Sequence, residues 1–143
     1  MEPTIYLFFK GKCLGAMCHY AEVLNGKISG VFRNEDVPDA ESRMPGGDDL
    51  VVNMMMTLGS ATVMASNNAE SMYEKTQGFR VSIAPRSLED FDRIFEVLAK
   101  NAEHVEMAPA ETFWAERFAT FIDRYGTPWM LNYEGNRSDG APA

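Results

Sequence analysis

The sequence predicts an α+β protein: two βαβββ modules forming a curved half-barrel sheet with the helices outside. Three observations lead there. Two amphipathic helical stripes end in similar pentapeptides, Tyr20-Ala21-Glu22-Val23-Leu24 and Ile94-Phe95-Glu96-Val97-Leu98. Each stripe follows one short strand-like run and precedes three more. The second half closes on a hairpin signal, in which Arg117 to Ile122 meets the turn Asp123-Arg124-Tyr125-Gly126 and Pro128 to Tyr133 returns. One βαβββ unit leaves a sheet face open, so two of them pairing would complete a core.

Taken in order, Thr4 to Phe9 is a β-branched and aromatic run, read as the first strand. From Cys13 to Leu24 the apolar positions Ala16, Met17, Tyr20, Val23 and Leu24 recur at three- and four-residue steps, as an amphipathic helix requires. Asn25-Gly26 is the stop signal, where a left-handed residue is wanted. Lys27 to Arg33 is the second strand. The acidic interval from Asn34 to Asp49 holds two prolines and a Gly-Gly pair, and reads as a solvated connection, a lid, a mobile arm or a dimer contact. Leu50 to Thr57 and Ala61 to Ser66 are strands joined through Gly59.

A polar linker follows, and the order begins again. Phe79 to Ile83 is a strand, and Ser87 caps a helix with Asp90 as a weak capping-box acid. Leu88, Phe91, Ile94, Phe95 and Leu98 form its buried stripe. Ala102 to Met107 is a strand, Ala108-Pro109-Ala110 a connection, and the closing hairpin comes last. The expected organisation is one domain over 1–143. Module one spans about 4–67, a linker 68–77, module two about 78–134 and a flexible tail 135–143.

Composition narrows the function. With 45% hydrophobic and 11% aromatic residues the chain can bury a core. A formal net charge of −8 argues against a basic nucleic-acid surface. No apolar stretch approaches the ~18 residues of a membrane span. The N-terminus has no basic region before an apolar segment, and so reads as the first strand of a cytoplasmic protein. Cys13 and Cys18 fall on different parts of one helix surface, which disfavours a mutual disulfide.

The element order, with Tyr6-Leu7-Phe8-Phe9, His19-Tyr20-Ala21-Glu22-Val23-Leu24, Thr112-Phe113-Trp114, Asp123-Arg124-Tyr125-Gly126 and Trp129-Met130, resembles the PhnB-like family. That family includes proteins labelled 3-demethylubiquinone-9 3-methyltransferase-like. It lies within the vicinal oxygen chelate superfamily of glyoxalases, bleomycin-resistance proteins and dioxygenases. The resemblance implies a homodimer, and enzymes of that superfamily hold a divalent metal on the inner sheet face through His, Glu or Gln. Met130 occupies the position where metal-binding relatives carry Glu. Strand one offers Ile5 and Tyr6, and strand four Met64. A thioether does not suit a hard or borderline divalent ion, so no metal and no other cofactor is expected. His104 lies beside Glu103 and Glu106 and is the one other place to look for ligands. The chain also lacks a Gly-rich strand-to-helix turn for a nucleotide methyl donor.

The remaining expectation is a pocket for a small apolar or aromatic molecule. Its expected lining is Tyr6, Phe8, Asn53, Met55, Met64, Ser66, Phe113, Trp114, Trp129 and Asn132, apolar walls with a few polar groups. Met54, Met55 and Met56 alternate faces, so Met55 or the other two can line it. A buried indole needs a partner for its N–H. Asp123 reads as a turn-former that bonds its own backbone. Metal-dependent lyase, isomerase or dioxygenase chemistry, methyl transfer, and a purely structural role at a dimer interface stay open as alternatives.

Overall fold

Ile5–Phe9 (β1) alternates so that Leu7 and Phe9 are buried while Tyr6 and Phe8 are not, and this parity sets the orientation of everything around it. The computed structural model describes residues 1–140. After β1 come Cys13–Leu24 (α1), Lys27–Arg33 (β2), Val51–Leu58 (β3) and Ala61–Asn67 (β4). They form a sheet in the order β1-β4-β3-β2, with β1 parallel to β4 and the other neighbours antiparallel. Helix α1 packs on β2, β3 and β4. Ala16, Met17, Tyr20 and Val23 meet the face that carries Leu7, Phe9, Met54, Met56, Val63 and Ala65, all buried. The Phe9 and Tyr20 ring centroids lie 6.4 Å apart across that boundary.

Asn25 ends α1 in the left-handed conformation, with φ of 58° and its N–H bonded to the Ala21 carbonyl. Gly26 follows because there is no room for a side chain: a Cβ there would lie 2.9 Å from Met56 Sδ. The start of α1 is less conventional. Lys12 provides no side-chain cap, and the Cys13 N–H instead donates to Asn67 Oδ1 at 3.0 Å, from the end of β4. Asn67 is itself buried, and its amide donates to the Val51 carbonyl at 3.3 Å. Asn67→Ala should therefore destabilise the protein by about 1–3 kcal/mol, because it strands a buried N–H and a carbonyl together. Urea unfolding measures this, and a loss under about 0.5 kcal/mol would mean that the cap is dispensable. Cys13 and Cys18 are both free; Cys18 is exposed. Burial first, and then the charge of Cys18, pushes the Cys13 thiol up to about 12, so it stays protonated at neutral pH.

Residues 34–49 are folded around one side chain. Asn34 is 2% exposed; its amide donates to the Met44 and Gly47 carbonyls at 2.7 Å each, and its oxygen accepts from the Met44 N–H at 3.0 Å. Short 3-10 turns at Asn34–Asp36 and Ala40–Ser42 fill the interval.

The second unit repeats the plan: Val81–Ile83 (β5), Leu88–Leu98 (α2), His104–Ala110 (β6), Arg117–Ile122 (β7) and Pro128–Tyr133 (β8). Its sheet order is β5-β8-β7-β6, again with the first strand parallel to the last. The chain thus divides into two compact units, 1–74 and 75 onward, each a βαβββ module with one helix. The two matching pentapeptides close α1 and α2, with Glu22 and Glu96 both exposed. Ser87 caps α2 through its hydroxyl, which accepts from the Asp90 N–H at 3.0 Å. Arg93 beside Asp90 holds that carboxyl below its usual range.

Beyond shifts of one or two residues at β1, β3, β4 and the start of β6, three segments differ from expectation. β6 continues through Ala108-Pro109-Ala110, because it is the edge strand of its sheet and an edge position tolerates a residue with no N–H to give. β5 starts at Val81 and leaves Phe79, which is 47% exposed, outside the sheet. The segment expected as a flexible tail opens with a 3-10 turn over Gly135–Gly140, where the Asn136 N–H donates to Glu116 at 3.0 Å and Arg137 pairs with Glu111. Residues 141–143 of that segment lie outside the described residues.

Candidate ligand site

Each sheet has a helix-covered face and an opposite, helix-free face, and strand parity assigns every candidate side chain to one of them. In the first sheet Tyr6 pairs with Met64, Met64 with Met55, Phe8 with Ser66, and Phe32 with Asn53. Directly paired residues point to the same side. Tyr6, Phe8, Asn53, Met55, Met64 and Ser66 therefore share the helix-free face of the first sheet. Met54 and Met56 lie on the other side, both buried. On the helix-free face Tyr6, Phe8 and Phe32 are 38%, 43% and 53% exposed, while Ser66 is buried. Tyr6 and Phe8 contact one another with centroids 4.9 Å apart. The Asn53 side-chain oxygen is buried with no hydrogen-bond partner among the described residues.

In the second sheet the expected set divides. Phe118 pairs with Asn132, and Thr120 with Met130, on the helix-free face. Trp114 packs edge-on against Phe118 with centroids 5.1 Å apart, and Phe113 against Trp114 at 4.8 Å. Both Phe113 and Trp114 come from the connection between β6 and β7. Phe113 remains 69% exposed. The Asn132 side-chain oxygen, like that of Asn53, is buried with no partner among the described residues.

Trp129 is a correction. It was expected to face the pocket with Asn132, but three steps along a strand reverse the face. Trp129 pairs with Val81 and Phe121, and Phe121 meets Phe95 of α2 edge-on at 5.5 Å, so Trp129 belongs to the helix-side core. It is 2% exposed. Its indole N–H does have the partner such burial demands, donating to Asp123 Oδ2 at 2.8 Å. Asp123 Oδ1 accepts the N–H groups of Tyr125 at 2.8 Å and Thr127 at 3.0 Å, so the carboxylate organises the β7–β8 turn as its position suggested. Arg124 turns away to stack on Tyr125, 5.0 Å from the ring centroid.

A cavity of about 520 Å³ opens on the second unit. Ser82 and Met130 belong to paired positions of β5 and β8, and Ile122 and Pro128 flank the β7–β8 turn. Residues 76–80 form a further wall as they enter β5, turning at Gly78, whose φ is +85°. There Arg80 donates to the Trp129 carbonyl at 3.2 Å and pairs with Glu106 of β6. None of the side chains expected to line a pocket lines this cavity. Arg80 and Ser82 were missed because a lone Arg or Ser at a strand start carries no distinctive pattern, and only tertiary pairing joins Arg80 to Glu106. Met130 had been singled out, although as an absent metal ligand rather than as a wall.

At the strand positions where the resemblance would place metal ligands, carboxylates are absent. Met130 and Met64 present thioethers at the strand positions in question. His104 is exposed on the edge strand β6. Among the described residues no three His, Cys, Asp or Glu side chains are grouped so that they could hold a metal ion. No helix among them is long and apolar enough to cross a membrane.

No protein-family model matches the chain. Solved structures do: a glyoxylase/bleomycin resistance protein/dioxygenase domain from Frankia sp. superposes over 94% of this chain and 97% of that one, with a TM-score of 0.63 at 16% identity. A PhnB protein from Bacillus cereus does so with a TM-score of 0.80 at 21% identity, covering 93% and 99%. Those likenesses define the class, a protein with the vicinal oxygen chelate fold. Protein PA1353 from Pseudomonas aeruginosa is more similar still, with a TM-score of 0.83 and 32% identity over 94% of this chain and 98% of that one. Escherichia coli YjdN is 30% identical over 140 residues, 92% of this chain and 95% of YjdN. The chain belongs to the PhnB-like family that these relatives represent.

Proposed function

We propose that the protein binds a small apolar or aromatic molecule, without a metal ion, in the cavity of the second unit. The observation that carries this reading is the cavity itself: its volume of about 520 Å³ suits a small organic ligand. Phe79, Ile122, Pro128 and Met130 offer apolar contact, and a thioether adapts to varied shapes. Thr76, Gln77, Arg80, Ser82 and Glu106 supply the polar groups that would orient a ligand against those walls. Homodimer formation, which the resemblance implies, and a reducing cytoplasmic setting that keeps Cys13 and Cys18 as thiols belong to the same reading.

The test is thermal unfolding with a panel of aromatic compounds and, separately, with Zn²⁺, Mn²⁺ and Fe²⁺. A ligand at a hundred times its dissociation constant should stabilise the fold by about 2.7 kcal/mol. Met130→Trp, which fills the cavity, should abolish that gain. Metal ions should leave the melting temperature nearly unchanged. Stabilisation that survives Met130→Trp, or a large metal-dependent rise lost on changing His104 or Glu106, would overturn the proposal.

A further inference from the structure

Arg80 and Glu106 are the only charged side chains among the described residues lining the cavity, and they are paired to each other. We infer that this pair makes the site selective for uncharged ligands, an inference that rests on the ligand-binding reading above. The guanidinium is held from two directions. One nitrogen donates to the Trp129 carbonyl on β8 at 3.2 Å, and the other bonds the Glu106 carboxylate on β6. With the two side chains only 26% and 28% exposed, water screens them incompletely.

An anionic ligand that approaches Arg80 meets Glu106 at a similar range, so attraction and repulsion largely cancel. To gain a guanidinium bond of its own it must displace Glu106, which leaves that carboxylate without its partner. A cationic ligand faces the mirror problem with Arg80. A neutral carbonyl or amide escapes both. A guanidinium carries five N–H donors, and a neutral acceptor can take one that the pair does not use. The Ser82 hydroxyl can donate or accept as the ligand requires. Rejection of the wrong charge through a prepaired opposite charge is specificity by penalty rather than by added contact.

The experiment measures binding of matched sets by calorimetry: the carboxamide, carboxylate and aminomethyl derivatives of benzene, naphthalene and biphenyl. For every ring system that binds, wild-type protein should take the carboxamide about tenfold more tightly than the carboxylate or the ammonium. Glu106→Gln should release Arg80 and raise carboxylate affinity about tenfold or more, which reverses the order. Arg80→Gln should do the same for the ammonium. If either variant fails to fold, the wild-type preference alone decides. Carboxylate binding to wild type as tight as the carboxamide would overturn the inference and leave the pocket standing. No binding by any ring system would remove the pocket, and the inference with it.

Discussion

Asp123→Ala is expected to lower the unfolding free energy by about 3–5 kcal/mol, a large effect for a polar side chain. The carboxylate is 1% exposed and accepts from the Trp129 indole and from the backbone of Tyr125 and Thr127. Removing it strands those donors in a dry place and opens the β7–β8 turn, which also bonds Asp123 N–H to the Thr127 carbonyl at 2.9 Å. Asp123→Asn should lose less, about 1.5–3 kcal/mol. One amide oxygen can still take both backbone donors, but the amide nitrogen then faces the indole N–H, donor against donor. In a Trp129→Phe background that clash is absent, so the further effect of Asp123→Asn should shrink. Urea unfolding of the four proteins completes the cycle. A loss under about 1 kcal/mol for Asp123→Ala would show that the turn is held by something else.

Met54→Ala should destabilise by about 2–5 kcal/mol, and Met55→Ala by less than about 1.5 kcal/mol. The side chains are sequence neighbours of identical chemistry, so only the face differs. Met54 is 0% exposed beneath α1, whereas Met55 is half-buried on the helix-free face beside Met64. A shift of register by one residue would exchange their roles. Equal losses for the two variants would contradict the assignment of faces in the first sheet. Because Met55 lies outside the cavity lining, its alanine variant should also bind the aromatic panel as wild type does.

Much of the fold was legible along the chain. Asn25-Gly26 ends α1, and Ser87 caps α2, because these signals act over one turn of backbone. The duplicated plan could be read because both halves must present the same apolar periodicity to bury a helix on a sheet. Asp123 was readable for a similar reason: an Asx turn bonds groups within a few residues of itself. The cavity lining was not legible, since none of the side chains expected around a pocket lies in it, although the faces of the first sheet were. Tyr6, Phe8, Asn53, Met55, Met64 and Ser66 do share one face, since parity within paired strands determines that. The need of a buried indole for an N–H partner does not place Trp129 in a pocket, because Asp123 of the adjoining turn is that partner on the helix side.

What tertiary structure alone decided is which of two alternating faces a helix covers, and which distant groups meet. Alternation says that Met54 and Met55 differ but not which is inside; α1, docked on β3, makes that choice. Asn67 caps α1 from 54 residues away, and Arg80 finds Glu106 across 26. No local propensity records such partners, because each hydrogen bond depends on strand order and register rather than on the residues beside it. Local patterns along the chain suffice for the modules, their turns and the absence of a carboxylate at position 130. Packing alone determined that this thioether lines a cavity, and that its neighbour Trp129 does not.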